Sequence, residues 1–261
     1  MVRSTERVQF RGHADNLLAG ILESPEGVPR GFLLFSHCFT CGKDLKAIVK
    51  ISRGLADLGW GVLRYDFSGL GNSEGDFSAS NFTTNREDLR AAATYLKRAH
   101  QSPTFLIGHS FGGATSLSMA MEISTVRGVI AIASPSDTYH LATLLESMNS
   151  EIISAGEGYV TIGGRSHLIK KQMLDDFRSH DLQSSVREIT KPILTFHSPT
   201  DETVDFRNAL LNCGFETKKV DSSLMQRSLI SMPNCNHLLT TDDADCSMVS
   251  EIANVWCRRL T

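Results

Sequence analysis

The sequence has no apolar run long enough to cross a membrane, which takes about 20 consecutive residues. Its first ten residues, MVRSTERVQF, also lack the apolar segment of a secretory signal peptide. We therefore expect a protein that has no membrane span and is located in the cytoplasm.

Charge of one sign is equally scarce. The 26 Lys and Arg residues are balanced by 29 Asp and Glu residues, so the formal net charge is -3 at pH 7. Binding to nucleic acid depends on a surplus of positive charge that neutralises phosphates. A nucleic-acid partner is therefore not expected, whereas a small-molecule substrate is compatible with this composition. The oligomeric state stays open, with a homodimer as one candidate.

The six cysteines are too scattered to form a disulfide framework, and without an export signal we expect reduced thiols. Cys38 and Cys41 form a C-x-x-C pair, a spacing that suits a redox dithiol, half of a zinc site or two plain buried thiols. A structural zinc needs four ligands, and no second pair completes them. We expect no metal and no cofactor, and two buried thiols here, with a redox role as the alternative.

Apolar runs of strand length recur along the chain and are continuous rather than alternating. They lie at residues 17–22, 31–35, 61–65, 104–107, 128–133, 193–196 and 228–232. Continuous apolarity is typical of strands buried on both faces of a parallel sheet. Apolar residues at helical spacing lie between these runs and after the last, at 45–58, 83–99, 111–121 and 244–260. The alternation predicts an α/β fold with a mostly parallel sheet of about eight strands and helices on both faces.

The alternation stops between Pro135 and Pro192, where no buried strand is predicted. An apolar helical stripe and a Gly-rich segment come first. A second helical stripe is formed by Ile169, Met173 and Phe177. Connections of this length inside a compact domain are usually functional. We predict a single domain over residues 1–261 with a small cap inserted at 138–182; the alternative is that these stripes only complete the core.

The run GHSFGG carries the strongest chemical signal. It follows a predicted strand, opens a predicted helix and matches the pattern G-x-S-x-G. That pattern places a serine on a strained strand-to-helix turn, where Gly108 and Gly112 allow close approaches of the backbone. Ser110 is therefore the predicted nucleophile, and a glycine-rich turn with an incidental serine is the alternative. His109 occupies the variable position, and we expect it to have a loop or packing role.

A serine hydroxyl needs a general base, and the base needs a carboxylate that orients it. On a fold of this kind, the order along the chain is serine, acid, histidine. His237 follows the last predicted strand and is the predicted base; the other candidates are His167, His197 and His180. Asp201 follows the strand at 193–196 and is the predicted acid; the other candidates are Glu202, Asp205 and Asp137.

Acyl transfer also needs two N–H donors that stabilise the oxyanion. One is expected from Phe111, which follows the nucleophile, and the other from the loop SHCFTCGKD, which follows the strand at 31–35. In that loop we assign Phe39, with Cys38 as the alternative. The Gly-rich run that starts at Asp66 lacks the Gly-Lys-Ser/Thr ending of a phosphate loop, so we expect it to form a turn.

Together these segments resemble the α/β-hydrolase superfamily over nearly the whole chain. The segment His37-Cys38-Phe39 is similar to the His-Gly-X oxyanion segment of that family, with cysteine in the glycine position. The run DFSGLGNSEG is similar to the D-x-x-G-x-G-x-S motif of its esterase, lipase and aminopeptidase-like branch. The combination of SHCFTCGKD, RYDFSGLGNSEGDF and GHSFGGA is also similar to the hydrolase domain that is often fused to an OsmC-like domain. We expect no OsmC-like part within these 261 residues.

The resemblance implies a serine enzyme that cleaves carboxylic esters, with Ser110, Asp201 and His237 at the positions of the triad. A thioesterase, amidase or acyltransferase would use the same three residues. Epoxide and haloalkane hydrolysis is disfavoured, because family members with those activities carry aspartate at the position of Ser110. A non-catalytic binding module on the same fold is a further alternative.

Overall fold

The computed structural model describes residues 3–215 and 226–261. The strands of its main sheet are β1 (Ser4–Arg11), β2 (Leu17–Ser24), β3 (Phe32–Ser36), β4 (Gly61–Tyr65), β5 (Phe105–His109), β6 (Gly128–Ile132), β9 (Ile193–His197) and β10 (Arg227–Ser231). They lie in the order β1-β2-β4-β3-β5-β6-β9-β10. β1 pairs antiparallel with β2, and β2 pairs antiparallel with β4, whereas the remaining pairs are parallel. The predicted α/β fold with about eight strands is therefore confirmed.

The five central strands β3, β4, β5, β6 and β9 are buried at every residue, as their continuous apolarity predicted. Strand β1 is different, because only Val8 and Phe10 are buried in it. Its charged residues at exposed positions interrupt any apolar run, so this strand was not predicted from the sequence.

The helices are α1 (Lys46–Asp57), α2 (Phe82–Ala99), α3 (Phe111–Met119), α4 (Tyr139–Met148), α5 (Glu151–Ser154), α6 (Lys171–Ser179), α7 (Leu182–Arg187), α8 (Arg207–Cys213) and α9 (Asp243–Arg258). Short 3-10 helices cover His13–Asp15 and Phe77–Ala79. The four helices predicted from apolar spacing are present as α1, α2, α3 and α9, with ends within two residues of the prediction. Helix α2 begins at a capping box in which Asn81 and Thr84 exchange hydrogen bonds.

The sheet separates two apolar cores. On one face, α1 and α9 contribute residues such as Ile51, Leu55 and Val249. On the other face, α2 and α3 contribute residues such as Leu89 and Leu117, and the apolar residues of α4, α6 and α7 join the same core. Helices on both faces leave the carboxyl ends of the parallel strands as the edge at which loops meet.

The segment between β6 and β9 contains α4, α5, a hairpin of β7 (Glu157–Ile162) and β8 (Arg165–Lys170), then α6 and α7. The prediction of a second helical stripe was wrong at Ile169, which lies on β8 and pairs with Gly158. Met173 and Phe177 do lie on α6, where both are buried. The four-residue spacing of these three apolar residues fits a helix, but it does not reveal that the chain changes from strand to helix between Ile169 and Met173.

Candidate active site

Ser110 lies on the turn between β5 and α3, with φ 54 and ψ -123. Such a backbone is strained for a residue that carries a Cβ. The flanking glycines make the turn possible. A Cβ on Gly108 would lie 2.1 Å from the carbonyl oxygen of Gly112, and a Cβ on Gly112 would lie 2.3 Å from that of Ser36. The turn therefore raises the serine hydroxyl above the carboxyl edge of the sheet.

Ser110, His237 and Asp201 form one hydrogen-bonded series. The distance from His237 Nε2 to Ser110 Oγ is 2.9 Å, and that from His237 Nδ1 to Asp201 Oδ2 is 2.8 Å. An ionised carboxylate can only accept, so Nδ1 carries the proton. The free lone pair of Nε2 then accepts the hydrogen bond that the Ser110 hydroxyl donates. This is the arrangement in which an imidazole can take the proton of the hydroxyl.

The loop after β9 holds Asp201 in place. Its second oxygen, Oδ1, accepts hydrogen bonds from the backbone N–H groups of Thr203 at 2.8 Å and Val204 at 2.9 Å. Burial raises the pKa of this carboxyl, but the hydrogen bonds from His237 and the two N–H groups outweigh it and hold the pKa below its ordinary value. Asp201 is therefore an anion at neutral pH. His197, buried at the end of β9, donates from Nε2 to the Val204 carbonyl at 2.8 Å.

His109, the variable residue of the G-x-S-x-G run, reaches the loop that carries His237. Its Nε2 donates to the backbone carbonyl of His237 at 2.7 Å, and the two rings lie 5.1 Å apart. Burial, and then the nearby His237, lower the pKa of His109 to about 3. His109 is therefore a neutral imidazole that holds the loop carrying His237, a more specific role than the one expected from the sequence. No sequence signal pointed to it, because the two residues are far apart along the chain.

The two residues predicted to donate an N–H to the oxyanion come from different segments, the start of α3 and the loop after β3. Phe111 is the first residue of α3, where a backbone N–H has no partner within the helix. Phe39 lies in the loop after β3, and its ring is 5.6 Å from the ring of Phe111. Both residues border the cavity that contains Ser110.

Cys38 and Cys41 are joined by a disulfide across that loop. The expectation of six reduced thiols was therefore wrong for this pair, because it rested on an inferred cellular compartment and not on the geometry of the loop. The other four cysteines, Cys213, Cys235, Cys246 and Cys257, are free and buried. Within the closed loop, Thr40 has φ 58, whereas Cys38 is not among the residues with positive φ.

Hydrogen bonds of two buried residues, Asp66 and His37, anchor the loop further. Asp66 accepts hydrogen bonds from the backbone N–H of Lys43 at 2.6 Å and from Lys43 Nζ at 2.7 Å. It also accepts from the N–H of Asn72 at 2.9 Å, so it forms the turn expected from the sequence and an ion pair in addition. His37 donates from Nδ1 to the Cys38 carbonyl at 2.8 Å, and its Nε2 accepts from the N–H of Phe67.

A cavity of about 930 Å³ lies above Ser110 and His237. Helix α4 contributes an apolar wall formed by Leu141, Leu144, Leu145 and Met148. The hairpin contributes Ile162, Arg165 and His167, and the ring of His167 lies 5.4 Å from that of Phe77. The segment between β6 and β9 thus borders the space next to the serine.

The other candidate bases and acids have different contacts. His167 borders the cavity from β8, and His180 lies against Thr83 and Asp176. Asp205 accepts from backbone N–H at the start of α8, Asp137 accepts from the N–H of His140, and Glu202 is exposed. His167 and Asp137 border the same cavity as Ser110, and His197 Nε2 lies 3.6 Å from Asp201 Oδ2. In the part of the chain that the structure describes, however, the hydrogen-bonded series at Ser110 is formed by His237 and Asp201 and not by these alternatives.

In the described ranges, no group of three or more His, Cys, Asp or Glu side chains could hold a metal ion. Nor does any helix in those ranges combine the length and the apolarity that crossing a membrane would require.

Comparison with known proteins gives consistent relatives. Residues 28–152 match the family model Hydrolase_4, described as serine aminopeptidase, S33. The esterase domain of a Rhodothermus marinus protein is 35% identical, with a TM-score of 0.75 and 98% of each chain covered. Rat (Rattus norvegicus) palmitoyl-protein thioesterase ABHD10, mitochondrial, is 26% identical over 68% of this chain and 61% of its own length. Mouse (Mus musculus) monoglyceride lipase is 32% identical over 42% of this chain.

The matches to these two curated relatives span only part of those proteins, 61% of the rat protein and 37% of the mouse protein. The match to the bacterial esterase domain covers nearly all of both chains at more than 30% identity. With the eight-stranded sheet and its helices, this shows that the chain belongs to the α/β-hydrolase superfamily.

Proposed function

We propose that the chain is a serine hydrolase that cleaves carboxylic esters through an acyl-enzyme. The observation that supports this most directly is the series Ser110–His237–Asp201, with hydrogen bonds of 2.9 and 2.8 Å, at one side of a largely apolar cavity. Few other arrangements of side chains make a serine hydroxyl nucleophilic at neutral pH.

In the proposed reaction, Ser110 Oγ attacks the carbonyl carbon of the ester while His237 Nε2 takes the hydroxyl proton. The carbonyl π electrons move to oxygen, where the N–H groups of Phe39 and Phe111 stabilise the negative charge. The tetrahedral intermediate collapses, the C–O bond to the alcohol breaks, and His237 returns its proton to the leaving oxygen. Water then repeats these steps on the acyl-enzyme and releases the acid. Asp201 stays ionised and orients the imidazole.

We propose that residues 138–182 form a cap over this site, within a single domain. The leucines and the methionine of α4 would hold the apolar part of the substrate, because the wall they form is continuous with the serine. The cytoplasmic location expected from the sequence stays a prediction.

A thioester is the second candidate substrate, because the rat relative is named a palmitoyl-protein thioesterase. The same triad serves both substrates, since the acyl-enzyme is identical and only the leaving group differs.

The test is hydrolysis of p-nitrophenyl esters from acetate to palmitate by wild type, Ser110→Ala and Ser118→Ala. Ser118 lies on α3 and donates to the Thr115 carbonyl, so it controls for the loss of a serine from the same helix. We expect Ser110→Ala to lose at least about 10³-fold in kcat, as removal of a triad nucleophile does, and Ser118→Ala to keep activity. Ester activity in Ser110→Ala equal to wild type would contradict the proposal. Matched acyl thioesters, measured in parallel, decide between the two substrate classes.

A further inference from the structure

The Cys38–Cys41 disulfide faces the cavity of the proposed active site. Both cysteines border that cavity together with Ser110 and His237. We propose that this disulfide is a reaction site for small thiols that enter the cavity, and that its opening moves the N–H of Phe39. The proposal thus has two parts: the disulfide undergoes thiol–disulfide exchange in the folded protein, and this exchange changes the rate of ester hydrolysis.

The pair differs from the remaining cysteines in access. Cys213, Cys235, Cys246 and Cys257 are free but buried, and burial raises the pKa of each of these thiols. A protonated, buried thiol is a poor nucleophile. The disulfide, in contrast, lines a space large enough to admit a small molecule. Thiol chemistry on this protein is therefore expected at the oxyanion loop first.

The two sulfur atoms are not equivalent. Cys38 is only 4% exposed, whereas Cys41 is half-buried. An incoming thiolate RS⁻ would attack Cys41 Sγ, because Cys41 is the more exposed of the two residues. The new S–S bond joins R to Cys41 as the bond to Cys38 breaks, and Cys38 leaves as a thiolate that takes a proton from solvent. A second thiol then displaces R, so that one disulfide and two RSH give two protein thiols and RSSR.

The consequence for catalysis follows from what the disulfide encloses. The loop between the two cysteines contains only Phe39 and Thr40, and it is a turn in which the Cys41 N–H donates to the Cys38 carbonyl at 3.2 Å. Thr40 has φ 58, a backbone that a β-branched residue rarely adopts. The covalent link keeps the turn closed and Thr40 in this conformation. Once the link opens, Thr40 is free to return to negative φ, and the Phe39–Thr40 peptide turns with it. That rotation, together with the loss of the link at Cys38, shifts the preceding Cys38–Phe39 peptide, which carries the Phe39 N–H.

The ring of Phe39 limits the movement. It packs against the rings of Phe77, Phe111 and Phe177 at 5.5, 5.6 and 6.1 Å. The side chain therefore stays in place while the backbone relaxes. We expect the donor to be misaligned, not lost, so the effect on turnover is smaller than the loss of about 10²–10³-fold that follows removal of a whole oxyanion donor.

The effect on turnover depends on the proposed function, but the exchange site does not. The experiment therefore has two readouts. In the first, the native protein is treated with dithiothreitol, its reactive thiols are alkylated, the protein is then unfolded, and the alkylated cysteines are counted by mass. In the second, kcat and KM for a p-nitrophenyl ester are measured on the same dithiothreitol-treated samples. The variant Cys38→Ser/Cys41→Ser and the control Cys246→Ala are treated in the same way.

We expect two thiols to become reactive in native wild type, at Cys38 and Cys41, and kcat to fall about tenfold with little change in KM, since an oxyanion donor acts in the transition state. Re-oxidation should restore kcat. The double variant should show the low kcat with or without dithiothreitol, and Cys246→Ala should respond as wild type does. If the double variant does not fold, the wild-type titration alone decides.

The exchange site is overturned if the disulfide resists dithiothreitol until the protein is unfolded. The effect on catalysis is overturned if both thiols are free and kcat is unchanged, or if the double variant responds to dithiothreitol as strongly as wild type. If wild type cleaves no ester or thioester, the proposed function fails, and the thiol count still decides whether the disulfide reacts with thiols in the native protein.

Discussion

The N–H groups of Phe111 and Phe39, which we propose as the two oxyanion donors, are held by different kinds of interaction. Phe111 follows a turn in which Gly108, Gly112 and the end of β3 approach one another through backbone atoms. Phe39 lies in a loop held by side chains: a disulfide, an ion pair and a histidine hydrogen bond. Backbone contacts change only when the fold changes, whereas each side-chain contact can be removed singly. One donor is thus part of the fold, and the other is adjustable.

The largest effect is expected from Gly112→Ala, on the backbone side of this comparison. Its Cβ would lie 2.3 Å from the Ser36 oxygen and 2.4 Å from the His37 oxygen, so β3 and α3 must separate. We expect the free energy of unfolding to fall by more than about 4 kcal/mol, because the clash is with backbone in a packed core. Urea unfolding measures this loss.

Gly27→Ala is the matched control for that substitution. Gly27 has φ 85 but nothing within 4 Å of an added Cβ, so only backbone strain of about 1–2 kcal/mol is expected. Equal losses in the two variants would show that the close approach at the elbow does not matter to stability.

A smaller effect is expected from Lys43→Met, on the side-chain part of the comparison. The substitution leaves Asp66 buried with two backbone donors but without its ammonium partner. Breaking a buried ion pair costs about 3–5 kcal/mol, and the remaining donors favour the lower end. We also expect a lower kcat, because the Phe39 loop loses one of its anchors.

The control is Lys171→Met, which removes an exposed pair with Asp175 four residues along α6. Such surface pairs contribute less than about 1 kcal/mol. The double variant Lys43→Met/Asp66→Asn should recover part of the stability, since the unpaired charge is removed. If the double variant recovers no stability and Lys43→Met keeps its kcat, the Lys43–Asp66 ion pair does not hold the Phe39 loop in place.

The smallest effect, per unit of pH, is expected from His109→Gln. The pKa of His109 is about 3 in the folded protein against an ordinary 6.5, so between these values the unfolded chain binds a proton that the folded chain does not. Stability therefore falls as pH decreases through this window, and this histidine contributes about 1.4 kcal/mol per pH unit. His109→Gln should remove that part of the slope and keep a donor for the His237 carbonyl.

Unfolding by urea at pH 4.0, 5.0 and 6.0 measures the slope, with His140→Gln, a substitution of an exposed histidine of α4, as the control. Wild type and His109→Gln with parallel slopes would mean that His109 is protonated in the folded state.

Local signals explain which parts were predictable. The helices α1, α2, α3 and α9 follow from spacing within a few turns, and the serine turn follows from six consecutive residues. The chain order of the family then selects Asp201 and His237. In contrast, the contacts from Lys43 to Asp66 and from His109 to the His237 carbonyl join residues 23 and 128 positions apart. Spacing carries no information on such pairs. The disulfide was missed because reduced thiols were expected from the inferred cellular compartment, and the C-x-x-C spacing does not by itself show whether the two sulfur atoms are bonded.

Strand β1 affects how the molecule behaves in a crowded solution. It forms one edge of the main sheet, and the outer backbone groups of an edge strand can recruit a strand from another molecule. In β1, however, Glu6, Arg7 and Arg11 occupy exposed positions. A strand from a second chain that paired with this edge would take these charged side chains out of water without offering them charged partners, which is unfavourable. The exposed charges of β1, which prevented its prediction as an apolar strand, thus also protect this edge of the sheet from aggregation.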